Sequence, residues 1–114
     1  MSIMIYKKGD IILVPFPFSD ELNALKKRPA LVLSNELQNR MTDHIICMMI
    51  TSTSLINELD VAIVNWEECG LMKPSFARPH KIFTIEQKLI LKQLGQIQTS
   101  DLQNVMNAFL KIVE

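Results

Sequence analysis

The chain is constrained most by a series of short apolar runs joined by polar connections. Residues 11–16 (Ile-Ile-Leu-Val-Pro-Phe), 29–34 (Pro-Ala-Leu-Val-Leu-Ser), 44–51, 61–64 and 81–85 are rich in branched side chains and each reads as a strand. Few residues are left between them for helical crossovers. The pattern therefore predicts a compact antiparallel sheet or small barrel rather than a doubly wound sheet. Pro15 and Pro17 lack amide donors, so the first strand must end or become an edge there. The end of the chain differs in period. Leu102, Val105, Met106, Phe109, Leu110 and Val113 recur at the spacing of one helix face, with Ser100 and Gln103 in a capping-box arrangement before them. This helix is expected to bury its stripe on the sheet. Residues 67–72 read as a short helical turn stopped by Gly70 or Pro74, and residues 86–94 as a helix ended by Gly95.

With 114 residues, 48 % of them apolar, one domain over residues 1–114 can enclose a single core. The formal net charge is +0, so bulk charge gives no attraction for nucleic acid. Such binding needs a local basic patch. Lys26, Lys27 and Arg28 supply one candidate and Arg78 with Lys81 another, although a Lys-Lys-Arg run also suits a solvated loop. Lys7, Lys8 and Asp10 break up the early apolar residues, which excludes a signal-peptide pattern. No apolar run approaches the ~20 residues that span a bilayer. The expectation is a soluble cytoplasmic protein, without a membrane, whose Cys47 and Cys69 stay reduced. Cys47 lies in an apolar run and reads as core. His44 and His80 have no ligand partner at zinc spacing, so neither a metal site nor another cofactor is expected.

Three groups could carry chemistry. Arg28 precedes Pro29, which pushes its backbone towards extended geometry at the start of a strand. Its guanidinium is always charged and offers a planar fork to phosphate oxygens. An ion pair with Asp10, Asp20 or Glu21 is the competing reading, and spacing alone favours it. Thr51, Ser52, Thr53 and Ser54 form a hydroxyl cluster past an apolar strand; they bond a phosphate or, more commonly, cap the following turn. Residues 75–81 combine Arg78 with His80, a group that titrates near neutrality, although a lone histidine is more often structural. Tyr6, Trp66 and Phe76 could stack on bases, with core or interface packing as the alternative.

In order and spacing these residues resemble the PemK/MazF family of toxins. Gly9-Asp10 opens the first strand, Arg28-Pro29 the second, and Ile50-Thr51-Ser52 closes the third. The stretch from Trp66 to Ser75, then Phe83-Thr84-Ile85 and Leu94-Gly95-Gln96-Ile97, continue the likeness over nearly the whole chain. The resemblance implies a mainly β fold with α: a small SH3-like (CcdB/PemK-like) antiparallel β-barrel with a C-terminal amphipathic helix, usually a homodimer. It implies a metal-independent endoribonuclease that cleaves single-stranded RNA by 2′-hydroxyl attack on phosphorus, blocked by a cognate antitoxin. Carried over residue by residue, Arg28 contacts the scissile phosphate, Thr51 bonds the phosphate or the reacting hydroxyl, and Arg78 joins the site. His80 stands where an aspartate is expected; a neutral imidazole can act as general base there, or the chemistry is altered or lost. Lys26, Lys27, Ser52 and Lys81 are the expected RNA contacts. The competing function is a non-catalytic barrel that binds a partner protein, antitoxin or a gyrase-like target. Convergence of Arg28, Thr51 and Arg78 on one exposed groove separates the enzyme from this alternative; an Arg28 buried in an ion pair would favour the latter.

Overall fold

The computed structural model describes residues 5–16, 26–53 and 58–114. Six strands are present: β1 (Asp10–Phe16), β2 (Lys26–Val32), β3 (His44–Thr51), β4 (Val61–Ile63), β5 (Ser75–Glu86) and β6 (Lys92–Gln96). Helix α1 (Glu36–Thr42) joins β2 to β3, and helix α2 (Thr99–Val113) follows β6. Every strand pairing is antiparallel, in the order β4-β5-β3-β2-β1-β6. The expected mainly β fold with a C-terminal helix is present, its antiparallel sheet curled into a half-barrel. Among the described residues no helix is long and apolar enough to cross a membrane.

The strands read as nearly unbroken apolar runs because both faces of the sheet are covered. Ile11, Leu31, Met48 and Ile50 point into a core shared with Val105 and, at its margin, Leu102 and Phe109 of α2. Their neighbours Ile12, Ala30, Val32 and Cys47 point the other way, into a second core with Tyr6, Val14, Ile45 and Ile85. Pro15 fits its strand for a simple reason. Leu13 accepts a bond from the Leu91 amide on the β6 side, and β6 pairs with β1 only as far as Leu13. Two residues on, the ring of Pro15 occupies that same side, where no partner strand demands an amide. Pro17 lies outside the described residues.

Residues 86–94 are not a helix. They form a single 3-10 turn (Gln87–Leu89) and then enter β6, where Leu13 faces Lys92 and Asp10 faces Gln96. Helical composition yields here to pairing along an open edge of β1. Gly95 does not stop a helix; it lets two backbones meet. A Cβ on Gly95 would lie 2.4 Å from the Cys69 carbonyl oxygen, and one on Gly70 would lie 2.1 Å from that of Leu94. The turn Glu67–Cys69, which follows the edge strand β4, is thereby pressed against β6, the strand at the opposite edge, and the sheet curls.

Helix α2 begins at Gln98, which makes no side-chain cap bond, so the Ser100 box does not form. Asp101 acts instead. Buried in the first turn, it accepts from the amides of Val64 (3.1 Å) and Asn65 (2.9 Å) and from Asn65 Nδ2 (3.2 Å). Helix α1, unforeseen in the apolar periodicity, starts with Asn35 accepting from the Gln38 amide at 2.9 Å and ends at Asp43 with φ 61°. Its buried Asn39 donates to the carbonyls of Tyr6 and Ser34 and accepts from the Ser34 hydroxyl.

Two outcomes follow from this packing. Gly70 has φ +85° and no room for a Cβ, so Gly70→Ala should cost more than about 2 kcal/mol and lower the thermal midpoint by several degrees; an unchanged midpoint would contradict the contact. Burial pushes the Cys47 thiol from 9.0 up to about 12. Folding thus favours the protonated thiol. Its contribution is complete below pH 9 and is lost as pH rises towards 12, at up to about 1.4 kcal/mol per pH unit. Cys47→Ala should flatten this part of an alkaline denaturation curve.

Candidate nucleic-acid interface

The site is produced by an irregularity between β3 and β5. Met48 faces Ile82, and two residues later Ile50 faces Ala77. Met49 alone therefore stands opposite Arg78, Pro79, His80 and Lys81. Pro79 has no amide to offer a regular ladder, and the pairing of β3 with β5 is interrupted where it stands. The bulge accommodates Pro79 and at the same time brings Arg78, His80 and Lys81 out around it. The strand predicted over 81–85 is thus the second half of a twelve-residue strand broken by this bulge.

Beside the bulge lies an open cleft of about 630 Å³ lined by Lys26 and Arg28 of β2, Thr51 of β3, and Arg78 and Lys81 of β5, with Phe16, Met49, Ile82 and Phe83 also in its walls. Four cations face one cleft, and no carboxylate is among its described lining residues. A chain of zero net charge thus carries a local positive patch, the condition for attracting a phosphate backbone.

Arg28 is half-buried and makes no ion pair with a described residue. Asp10, one of its possible partners, is occupied elsewhere, accepting from the Lys7 amide and from Gln96 Nε2, each at 3.0 Å. Asp20 and Glu21 lie outside the described residues, as does Ser54. The Thr51 hydroxyl accepts from the Thr53 amide at 3.1 Å. It therefore serves the turn, as capping predicts, while its own proton stays available to a ligand. Arg78 is held at one end, its Nε 3.4 Å from Asp60 Oδ1. Its Nη2 lies 3.5 Å from Nε2 of the exposed His80, which adjoins the cleft without lining it.

Two expected contacts do not reach this cleft. Lys27 sits between Lys26 and Arg28 on β2, so strand alternation turns it to the other face. Ser52 lines a separate cleft of about 540 Å³ with Pro29, Gly70 and Ser75. Nor do the aromatics singled out in the sequence. Tyr6 is buried in the second core and Trp66 packs against the first, and Phe76 is not among the lining residues. The cleft has Phe16 and Phe83 instead, ring centroids 6.1 Å apart and edge to face. Only the strand pairing reveals them: Phe16 is the residue opposite Lys26, and Phe83 lies beyond the bulge. Among the described residues no three histidine, cysteine or carboxylate side chains come together as a metal cluster.

Solved structures with the same fold include a MazE–MazF complex from Deinococcus radiodurans (17 % identity, 97 % of each chain covered, TM-score 0.77). Another is an endoribonuclease in complex with its cognate antitoxin from a mycobacterial species (17 % identity, 95 % and 94 % covered, TM-score 0.78). A third is the Mycobacterium tuberculosis toxin MazF-mt6 (20 % identity, 91 % and 95 % covered, TM-score 0.74). At these identities the likeness concerns the fold. No curated protein matches the sequence closely enough to extend it. The family model for PemK-like, MazF-like toxins of type II toxin–antitoxin systems matches residues 7–113. With nearly the whole chain matched and the half-barrel in place, this protein belongs to the PemK/MazF-like family of type II toxins.

Proposed function

We propose that this toxin is an endoribonuclease that cleaves single-stranded RNA in the basic cleft. The observation that carries this reading is the meeting of Arg28, Thr51 and Arg78, from three different strands, at one open cleft. An RNA strand lying there is held through its phosphates by Lys26 and Lys81, with Phe16 and Phe83 offering apolar faces to its bases.

In the reaction the ribose 2′-oxygen attacks the adjacent phosphorus and the bond from phosphorus to the 5′-oxygen breaks. The 2′-proton leaves to a base and the departing 5′-oxygen gains a proton, giving a 2′,3′-cyclic phosphate and a 5′-hydroxyl. Negative charge grows on the phosphoryl oxygens as this happens. Arg28 and Arg78 are donors at the cleft that meet that charge, and their contribution is electrostatic, because a guanidinium does not readily give up its proton at neutral pH. Thr51 donates its hydroxyl proton to a phosphoryl oxygen or to the reacting hydroxyl. His80, beside Arg78, is the candidate base once its Nε2 turns from Arg78 Nη2 to the 2′-hydroxyl. Lys27 and Ser52 stay outside this set, given their positions.

A cognate antitoxin and a second copy of the chain complete the proposal. A type II toxin is paired with an antitoxin, and the fold is shared with MazF in complex with MazE.

Arg28→Ala should lower the cleavage rate by at least about 10²-fold. Its thermal midpoint should stay near that of the parent, because Arg28 makes no ion pair with a described residue. Cleavage of a long single-stranded RNA, scored on gels beside thermal denaturation, checks both. Equal activity in the variant would remove Arg28 from the mechanism. A folded parent that binds RNA but never cleaves it would favour the non-catalytic barrel.

A further inference from the structure

Asp60 belongs to no motif and lines neither of the two clefts, yet it is the described carboxylate that pairs with a cleft cation. Val61 faces Ala77 in the pairing of β4 with β5, so Asp60, one residue before β4, falls opposite Arg78, one residue further along β5. The Asp60 side chain is 0 % exposed and the Arg78 side chain 19 %. A buried carboxylate is costly unless paired, and a long arginine side chain loses much rotamer freedom when it is fixed. Their contact through Nε pairs the two charges and turns the guanidinium so that its Nη end remains for other partners. Nη2 meets His80, and Nη1 has no partner among the described residues.

We propose that Asp60 is the positioning residue of the RNA site, orienting Arg78 so that its free Nη donors face the phosphate bound in the cleft. This rests on the RNA-cleft reading and adds to it a residue that never touches substrate. Two other roles for Asp60 make different predictions. If it acted on RNA only through its charge, removing that charge would raise the local positive potential and tighten binding. If it served only to hold β4 on β5, its loss would weaken function equally whether or not residue 78 is an arginine. A positioning role predicts the opposite sign from the first and a dependence on Arg78 that the second lacks.

The test measures affinity for a 2′-O-methyl RNA 20-mer, which lacks the attacking hydroxyl, by fluorescence anisotropy at fixed salt. Four proteins are compared: the parent, Asp60→Asn, Arg78→Ala and the double variant, each checked by thermal denaturation. Asp60→Asn should weaken binding on the order of tenfold in the parent and hardly at all in the Arg78→Ala background, the non-additivity expected of residues in contact. Tighter binding by Asp60→Asn, an equal loss in both backgrounds, or no binding by the parent would overturn the assignment. If Asp60→Asn does not fold, Arg78→Lys keeps a cation opposite Asp60 but lacks the planar fork; it should bind several-fold more weakly, and unchanged binding would overturn the role of an oriented guanidinium. Cleavage of unmodified RNA is scored in parallel. A parent that binds the analogue with the expected coupling but cleaves nothing refutes the ribonuclease reading and leaves the Asp60 assignment standing.

Discussion

Met49 of β3 confronts four residues of β5, and the basic cleft depends on that mismatch. In a regular ladder Arg78 and His80 would share one face of the sheet and Lys81 would take the other, while Pro79 would bring a residue without an amide into the pairing with β3. The bulge removes this conflict. It also changes the phase of β5, so that Arg78 and Lys81 line the same cleft as Arg28, and Phe83 forms part of its wall. One proline and one register shift thus connect the local sequence to the electrostatics of the site.

The remainder of the sheet supports this arrangement by being closed and covered. Gly70 and Gly95 let the turn after β4 touch the backbone of β6, joining elements from opposite edges of the six-stranded order. Cores on both faces pack β1, β2 and β3, so Arg28 near the start of β2 and Thr51 at the end of β3 extend from packed strands. Asp101 ties the start of α2 to the segment after β4 through two backbone amides and the side chain of Asn65. Polar groups buried in such places are satisfied, which is the condition for a single packing arrangement.

Much of this was legible in the residues. Apolar, β-branched runs located β1 to β4, the 3.6-residue stripe located α2, and the positions of Arg28, Thr51 and Arg78 singled out three side chains that do meet. Where the reading departed from the structure, non-local pairing was responsible. Residues 86–94 have helical composition, but residues 92–96 complete the edge of β1. Residues 75–80 were obscured as strand by Pro79, whose tolerance depends on the bulge. Lys27 and Lys26 are adjacent in sequence and equal in charge, and only the strand period separates their faces. Asp60 carries no local signal, since its pairing with Arg78 depends on a residue eighteen positions away. Asn35 and Gln38, three residues apart, carried a local signal for α1 that hydrophobic periodicity alone does not register.

The chemistry proposed for the four-cation cleft is attack by a ribose hydroxyl on its own phosphodiester, assisted by positive charge and a base. That chemistry leaves a signature on the RNA ends. The most direct measurement is mass-spectrometric identification of the termini produced when the purified protein acts on single-stranded RNA in EDTA. The account predicts 2′,3′-cyclic phosphate and 5′-hydroxyl ends. Products bearing 3′-hydroxyl and 5′-phosphate ends, or cleavage that EDTA abolishes, would contradict it.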